Sequence, residues 1–493
     1  MSENRAKWMV LATVMVGTAL GRLDQSIVNL ALPKMMTDFG ITVSSAAWIA
    51  TAYILANAVF VPIWGKLGDT IGRKKVYMMG FGIFIFGSIL AGFAWNLSSM
   101  IVFRIIQAIA SSADYPTAMA ILAVTFTAPK ERAQALGIWS ASFAASAILG
   151  PLIGGPLIDI FGWRSVFLIN LPIGLIGLAM AWTYVNESVS ERKTVFFDWW
   201  GAITLGGALS SLVLVLDRGL DWGWFSTNSL LCYISVIAFA IVFFIIEKNH
   251  KEAIIDFKFF KIPAFVNALT NNFVMFMCLM GSVFLIPIFA QTFLGYTATQ
   301  TGYLFIPMAL GLMIAAFIGG KMVGKIPTHW MIFISTVGAS GGIFLFSFLD
   351  PRSTALDIII PLSFMSGSLG FAMAQRTAIV AAVVPQHEIG VASGILALVR
   401  NIAGAFGIAL FGTILNEATK SHVLSIASHS IINSTNPIDI QKGVALIELK
   451  AQVAAYATVY EVAAVVMFFG AFTALMSKID EKKMSGAEVH MEG

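Results

Sequence analysis

The sequence predicts an all-α membrane protein with fourteen transmembrane helices. Of its 493 residues, 58% are hydrophobic and only 11% are charged, whereas a soluble domain carries about 25% charged residues. Apolar runs of about 20 residues, the length that a helix needs to cross the hydrocarbon core, recur along the chain. The runs are continuous rather than alternating, which argues against a transmembrane β-barrel.

Fourteen apolar runs are bounded by charged or turn residues. They cover residues 8–33, 47–64, 76–95, 99–125, 134–158, 165–185, 199–216, 228–246, 264–292, 300–320, 328–349, 355–384, 390–416 and 453–476. Because the number is even, we expect both termini on one side of the membrane. Most Lys and Arg residues between the runs fall on that side, so the positive-inside rule predicts a multi-pass plasma-membrane protein with both termini in the cytoplasm.

The composition argues against several other classes of protein. A net charge of +4 gives no reason to expect a nucleic-acid partner. Cys232 and Cys278 lie in apolar runs and form no CxxC pair, so we expect neither a disulfide nor a metal site. The sequence has no GxxxxGK[ST] loop for ATP and no cluster of His and acidic residues typical of an enzyme. We therefore expect neither enzymatic activity nor a cofactor.

A glycine-rich basic segment, residues 65–75, separates the second and third spans. It reads Gly-Lys-Leu-Gly-Asp-Thr-Ile-Gly-Arg-Lys-Lys, and its glycines permit a tight turn between two helices. This segment resembles the signature loop of the major facilitator superfamily. The resemblance assigns conformational roles to five positions, which are Gly65, Gly68, Asp69, Gly72 and Arg73.

A weaker copy of this loop, Gly320–Lys325, follows the tenth span. Because eight spans separate the two loops, the major facilitator fold is expected here as two six-helix bundles with two inserted helices between them. The predicted boundaries are 1–190 for the first bundle, 191–262 for the inserted pair, 263–480 for the second bundle and 481–493 for a cytoplasmic tail.

Five further segments resemble motifs of the fourteen-helix drug:proton antiporters. They are Leu23–Pro33 in the first span, Arg104–Gln107 in the fourth, Gly150–Pro156 in the fifth, Asp198–Gly201 before the inserted pair, and Gly390–Gly394 with Arg400 and Gly404 in the thirteenth. The chain is thus identified as a member of this multidrug efflux family. The resemblance implies proton-coupled export of small molecules by alternating access.

The fifth-span motif also has a direct physical interpretation. Gly150, Gly154 and Gly155 form a small-residue face that lets two membrane helices approach closely. Pro151 weakens the local hydrogen-bond ladder. The segment is expected to form tight helix packing, a bendable seam between helices, or both.

Seven charged residues lie within the predicted spans. They are Arg22, Asp24, Arg104, Asp114, Arg376, Arg400 and Glu461. An unpaired charge at the bilayer centre costs at least about 2.5–3.5 kcal/mol. We therefore expect these side chains to be paired or to face a common hydrated cavity.

The depths of these residues suggest their partners. Asp24 lies ~13 Å from the outer end of its span and Arg104 lies ~8 Å from the same end, so the two can meet. Asp114 lies ~15 Å deeper than Arg104 and needs another partner, for which Arg376 is the candidate. Arg22 is two residues from Asp24, so their side chains point in nearly opposite directions on a helix.

Carboxylates are the expected proton carriers, because all six histidines lie in predicted loops or the tail. We assign proton coupling to Asp24, Arg104, Asp114 and Glu461. Substrate binding is assigned to Arg22, Asp24, Asp114 and Arg376, and Arg400 is expected to be a structural charge. For the carboxylates and Arg104, the alternative is a purely structural ion pair.

Three charged residues exceed the family pattern, and Ala108 replaces its usual glycine. The extra residues are Arg22, Asp114 and Arg376, which leave the membrane core net positive. This favours an anionic, zwitterionic or amphiphilic substrate. The alternatives are proton-coupled uptake of an anionic or zwitterionic solute and a transport-inactive membrane sensor or scaffold. The expected partners are a small-molecule substrate, protons and the lipid bilayer, and the protein is expected to be monomeric.

Overall fold

The computed structural model describes residues 3–126, 129–188, 198–249, 257–322, 326–373, 375–376, 379, 389–430 and 436–476. Within these residues the secondary structure is helical and contains no strand. The predicted tail 481–493 and the last three residues of the weaker loop copy, 323–325, lie outside the described residues. The all-α class predicted from hydropathy is confirmed.

Sixteen α-helices are assigned in the described part of the chain. They are α1 Glu3–Phe39, α2 Val43–Ile71, α3 Arg73–Gly92, α4 Leu97–Ser111, α5 Asp114–Thr125, α6 Pro129–Phe161, α7 Ser165–Leu168, α8 Asn170–Tyr184, α9 Trp199–Trp222, α10 Thr227–Asn249, α11 Pro263–Phe293, α12 Ala298–Lys321, α13 Thr328–Leu345, α14 Ala355–Phe371, α15 Ile389–Ser428 and α16 Pro437–Leu475. Short 3₁₀ turns, Phe257–Lys261 and Phe346–Phe348, precede α11 and follow α13.

Where the structure describes them, the fourteen predicted spans each coincide with one helix or with a broken pair of helices. The twelfth span is α14 up to Phe371, and most of its predicted remainder to residue 384 lies outside the described residues. The fourth span is interrupted at Ser112 and Ala113, between α4 and α5, and the sixth is divided into α7 and α8. Ten helical segments of the described chain are long and apolar enough to cross a membrane. The fourteen-helix prediction is confirmed, and the break in the fourth span places Asp114 at the first position of α5.

Local capping explains where several helices begin. The Thr42 side chain accepts a hydrogen bond from the backbone N–H of Ser45 at the start of α2. Asn96 and Ser99 form a reciprocal capping box at the start of α4. Such side chains satisfy N–H groups that have no partner within the helix.

The helices pack into two units, each with its own interior. Unit 1 comprises residues 1–214, 230–256 and 296–306. Unit 2 comprises residues 215–229, 257–295 and 307–493. Most of the inserted helices α9 and α10 therefore belong to unit 1. The first turns of α12 also belong to unit 1.

An apolar cluster with members from α1, α3, α4, α5, α6 and α8 forms the core of unit 1. Its largest members include Phe81, Phe84, Phe126 and Trp139. The charged positions of α1, α4 and α5 lie on helices that pack around this core. Polar side chains on these inner faces therefore need partners inside the protein.

Unit 2 is held together by close backbone packing between α11 and α15. A Cβ atom on Gly407 would overlap the carbonyl oxygen of Met277, and one on Gly281 would lie 2.5 Å from Phe411 Cδ2. Small residues let two membrane helices approach this closely.

Both α15 and α16 extend far beyond one bilayer. They contain 40 and 39 residues, or about 60 Å each at 1.5 Å per residue, against a hydrocarbon core of about 30 Å. The predicted outer segment 417–452 is thus largely helical where it is described, because it continues α15 to Ser428 and begins α16 at Pro437.

We expect Gly407→Ala to lower the free energy of unfolding by about 1–3 kcal/mol, because its methyl group has no space beside Met277. Gly341→Ala in α13 is the matched control, since its Cβ would find its nearest neighbour, Phe364, at 3.8 Å. Thermal unfolding in detergent compares the two variants. Equal melting temperatures would contradict the packing described for α11 and α15.

Candidate functional site

A fully buried carboxylate, Asp24 on α1, lies at the centre of a polar network in unit 1. Asp24 Oδ2 accepts a hydrogen bond from Arg104 Nη1 at 2.5 Å. Asp24 Oδ1 accepts one from Gln107 Nε2 and one from Asn170 Nδ2, both at 2.8 Å. The contact between Asp24 and Arg104 that the depth estimate predicted is therefore present.

Ser88 and Asn170, which sequence reasoning missed, complete this network. Ser88 Oγ on α3 accepts hydrogen bonds from Gln107 Nε2 at 2.6 Å and from Asn170 Nδ2 at 3.2 Å. The network thereby connects α1, α3, α4 and α8. The available signal was the occurrence of an amide and a hydroxyl inside otherwise apolar runs, where unpaired polar groups are costly.

The Arg104 side chain is almost inaccessible to solvent, at 1% exposure. Its guanidinium carbon lies 4.0 Å from the ring centre of Tyr53 and 5.7 Å from that of Phe167. These distances allow cation–π attraction, which is stronger where the cation is desolvated. The ion pair is therefore enclosed by aromatic rings as well as by hydrogen-bond donors.

Asp114 has a different set of partners. Asp114 Oδ2 accepts a hydrogen bond from Thr18 Oγ1 at 2.9 Å. The same Thr18 oxygen accepts one from Trp139 Nε1 at 2.8 Å. Arg22 interacts with the carboxylate electrostatically. Asp114 therefore has a neutral hydrogen-bond donor, Thr18, which itself accepts from Trp139, and a nearby cation from its own unit.

Arg376, the expected partner of Asp114, has other partners in this structure. Arg376 is buried in unit 2 and directs its donors to neutral oxygens there. The acceptors are Thr336 Oγ1 at 3.0 Å, the Leu369 carbonyl oxygen at 3.1 Å, Asn271 Oδ1 at 3.3 Å and Ser335 Oγ at 3.4 Å. Depth along a span does not reveal which face of a helix carries the residue, and here the side chain turns into its own unit.

The remaining charged positions differ in their exposure and in their partners. Arg22 is exposed, and its Nη1 lies 3.5 Å from Gln25 Oε1. The helical spacing predicted that Arg22 and Asp24 point in nearly opposite directions, and the Arg22 side chain indeed lies outside the buried surroundings of Asp24. Glu461 is exposed on α16. Arg400 lies over Phe276, with its guanidinium carbon 4.9 Å from the ring centre.

The signature segment 65–75 is almost entirely helical rather than a loop. The helix α2 continues to Ile71, and Gly72 alone separates it from α3, with a φ of 116° that favours glycine. Glu187, which follows α8, accepts hydrogen bonds from the backbone N–H groups of Lys74 at 3.0 Å and Lys75 at 3.2 Å. This carboxylate caps the start of α3, which sequence reasoning missed. The side chain of Asp69 lies outside what the structure describes.

The glycines of the fifth-span motif pack against two different helices. Cβ atoms on Gly150 and Gly154 would collide with Ser26 and Ile27 of α1, and one on Gly155 would lie 2.5 Å from Thr299 Cα at the start of α12. The close approach expected for this motif is thus present on both faces of α6.

One helical turn after Gly155, Asp159 caps α12. Its oxygens accept hydrogen bonds from the backbone N–H groups of Ala298 at 3.1 Å and Thr299 at 2.9 Å. Sequence reasoning missed this contact, although the four-residue spacing from Gly155 puts both residues on one face of the helix.

A family model described as Major Facilitator Superfamily matches residues 14–408 of this chain. The chain belongs to the Major Facilitator Superfamily. Membership makes it a membrane-embedded transporter of small molecules rather than an enzyme.

Two multidrug proteins of Bacillus subtilis are similar to this chain over most of its length. The chain is 31% identical over 412 residues to the multidrug transporter protein MdtP of Bacillus subtilis (strain 168), covering 83% of this chain and 75% of the relative. It is 31% identical over 448 residues to multidrug resistance protein 3 of the same strain, covering 88% and 86%. These relatives confirm the resemblance to multidrug efflux proteins.

A solved superfamily structure has the same fold. It is a bacterial homologue of the human lysosomal transporter Spinster in an inward-facing, unoccupied conformation, with a TM-score of 0.69. The alignment covers 96% of this chain and 99% of that one at 16% identity.

We expect Arg104→Gln to lower the free energy of unfolding by about 3–5 kcal/mol, because it leaves the buried Asp24 carboxylate without its cation. The double variant Asp24→Asn/Arg104→Gln removes both charges and should recover most of this loss. Denaturation of Arg104→Gln, Asp24→Asn, the double variant and the wild-type protein in detergent gives the coupling energy of the pair. A coupling energy near zero would contradict a stabilising role for the ion pair.

Proposed function

We propose that this superfamily member is a proton-coupled secondary transporter that exports amphiphilic small molecules across the plasma membrane by alternating access. The multidrug relatives support export, and the carboxylates within the spans support proton coupling. The distribution of Lys and Arg supports cytoplasmic termini. The protein is proposed to act as a monomer.

The proposal rests chiefly on the surroundings of Asp114, which suit both of its protonation states. Arg22 and the start of α5 stabilise the charged form. A protonated carboxyl keeps an acceptor oxygen for Thr18, so the bonds from Trp139 to Thr18 and from Thr18 to Asp114 survive proton uptake. A group that gains and loses a proton within the cycle needs this tolerance. Asp114 is therefore the proposed proton carrier.

The surroundings of Asp24 favour one state only. Arg104, Gln107 and Asn170 all donate to its two oxygens. Protonation of Asp24 would leave the buried Arg104 without its counter-charge, which is costly. We propose that Asp24 stays charged through the cycle and that the ion pair positions α1 and α4 around Asp114.

The substrate site is proposed to include Arg22 and the rings next to Asp114. Arg22 is exposed, and the half-exposed ring of Tyr115 lies 5.4 Å from that of Trp139. A guanidinium binds carboxylate or phosphate through a two-pronged contact, and the rings accommodate apolar groups. This favours amphiphiles with an anionic or zwitterionic headgroup. Arg376 joins Arg400 as a structural charge, and Glu461 is a second proposed carboxylate for coupling.

We expect Asp114→Asn to reduce proton-driven export at least tenfold, because the amide keeps the size of the side chain but cannot carry the proton. The matched control is Asp38→Asn at the end of α1, where the exposed carboxylate pairs with Arg164 at 3.4 Å. This control should export normally. The assay uses proteoliposomes with an imposed pH gradient and three probes: tetraphenylphosphonium, ciprofloxacin and anilinonaphthalene sulfonate.

The outcomes separate the alternatives. Wild-type proton-driven export by Asp114→Asn would contradict the proposed carrier. If the anionic probe instead moves across the membrane in the same direction as the protons, the result would indicate proton-coupled uptake. Transport of no probe by wild-type protein that binds them would favour a sensor. If Asp24→Asn also stops export, its effect should come with a loss of stability, whereas that of Asp114→Asn should not.

A further inference from the structure

A small space beside Gly17 brings a tyrosine hydroxyl next to Asp114. A Cβ atom on Gly17 would overlap the Tyr77 hydroxyl oxygen and would lie 2.9 Å from Asp114 Oδ1. Phe81 closes the same space, with Cζ at 3.0 Å. Any side chain at position 17 would therefore separate the hydroxyl from the carboxylate, and only glycine leaves room for both.

Neither polar atom in this space has a strong partner. Asp114 Oδ1 is buried and has no hydrogen-bond partner among the described residues. Tyr77 is 2% exposed, and its hydroxyl donates to the carbonyl oxygens of Thr13 at 3.4 Å and Val14 at 3.5 Å. These distances are at the long limit of hydrogen bonding. The Tyr77 hydroxyl can thus turn between α1 carbonyls and the Asp114 carboxylate.

We propose that Tyr77 is a positioning residue for proton uptake by Asp114; this rests on the proposed function. When Asp114 is charged, the Tyr77 hydroxyl donates to Oδ1. When a proton binds to Oδ1, the new carboxyl O–H donates to the Tyr77 oxygen, and the Tyr77 hydrogen turns to the carbonyl of Thr13 or Val14. One proton is added to the carboxylate, Tyr77 keeps its own, and every buried polar atom has a partner in both states.

Other groups around the carboxylate set the electrostatic background. Arg22 on α1 and Tyr77 on α3 interact with Asp114, while Tyr53 on α2 and Tyr115 on α5 interact with Arg22. The element α6 contributes the neutral indole of Trp139 through Thr18. Tyr77 is the group in this set whose hydroxyl shares the space beside Gly17 with Oδ1.

A purely structural role for Tyr77 predicts a different outcome. Its ring packs edge-on against Phe81, with ring centres 5.1 Å apart, and a phenylalanine would preserve that contact. Under a structural role, Tyr77→Phe leaves the pH dependence of transport unchanged. Under the proposal, both states of Asp114 lose a hydrogen bond to Tyr77. Because the bond to the charged carboxylate is the stronger one, the proton binds at a higher pH.

The experiment measures proton-driven export in proteoliposomes over a range of pH, with whichever of the three probes the wild-type protein exports. Tyr77→Phe should fold and transport, but its half-maximal pH should rise by about one unit, which corresponds to the extra strength of a hydrogen bond to a charged group over one to a neutral group. Tyr184→Phe, on α8 in the same unit, is the matched control and should not shift the profile. For a variant that binds the probe without exporting it, the pH dependence of binding in detergent replaces the transport profile.

Gly17→Ala tests the same contact without removing the hydroxyl. Its methyl group should displace Tyr77 from Asp114 and shift the profile in the same direction. The double variant Gly17→Ala/Tyr77→Phe should shift no further than Tyr77→Phe alone, because the methyl group then occupies the space of the missing hydroxyl. An additive shift would overturn the proposal.

Failure of this inference differs from failure of the proposed function. If Asp114→Asn is inactive and Tyr77→Phe has the wild-type pH profile, only the role of Tyr77 is wrong. If Asp114→Asn exports normally with the proton gradient, the proton site itself is wrong, and the Tyr77 proposal falls with it.

Discussion

The buried ion pair between Asp24 and Arg104 is the constraint on which the rest of unit 1 depends. Two opposite charges inside a membrane protein are tolerable only when their geometry satisfies both of them. Here the remaining capacity of Asp24 is filled by amides from α4 and α8, and Ser88 on α3 accepts from the same amides. Rotation of any one of these helices would expose a polar group to an apolar core. The pair therefore determines how four helices are oriented about their axes.

This orientation gives the carboxylates of Asp24 and Asp114 different surroundings. Asp24 is held by a cation and two amide donors, which all favour its charged form. Asp114 begins a new helix after the break at Ser112 and Ala113, and its hydrogen-bond partner is a hydroxyl that tolerates both states. Under the proposed function, Asp24 is therefore the structural charge and Asp114 the titratable one.

The sequence predicts the fold well because a bilayer makes length and apolarity decisive. Every backbone group must be satisfied within the span, so a continuous apolar run of sufficient length becomes a helix. The contact between Asp24 and Arg104 could also be predicted, because the helical rise per residue gives the depth of each residue within its span. The spacing of Gly150, Gly154 and Gly155 predicted their tight packing, because small residues on one helix face let a neighbouring helix approach closely.

What the sequence does not contain is the rotation of each helix about its axis. Arg376 has a suitable depth for Asp114, yet its donors turn to neutral oxygens within unit 2. Ser88, Asn170 and Tyr77 are single polar residues in apolar runs, and their partners emerge only when helices distant in sequence pack together. Capping by Glu187 and Asp159 depends likewise on tertiary contacts.

Infrared difference spectroscopy of the purified protein tests the central claim most directly, because the carbonyl stretch of a protonated carboxyl group is separated from that of a carboxylate. The pH-dependent carboxyl signal is compared between wild-type protein, Asp24→Asn and Asp114→Asn. If Asp114 carries the proton and Asp24 stays charged, a component of the signal disappears in Asp114→Asn and persists in folded Asp24→Asn. A component that disappears in Asp24→Asn and persists in Asp114→Asn would contradict the account.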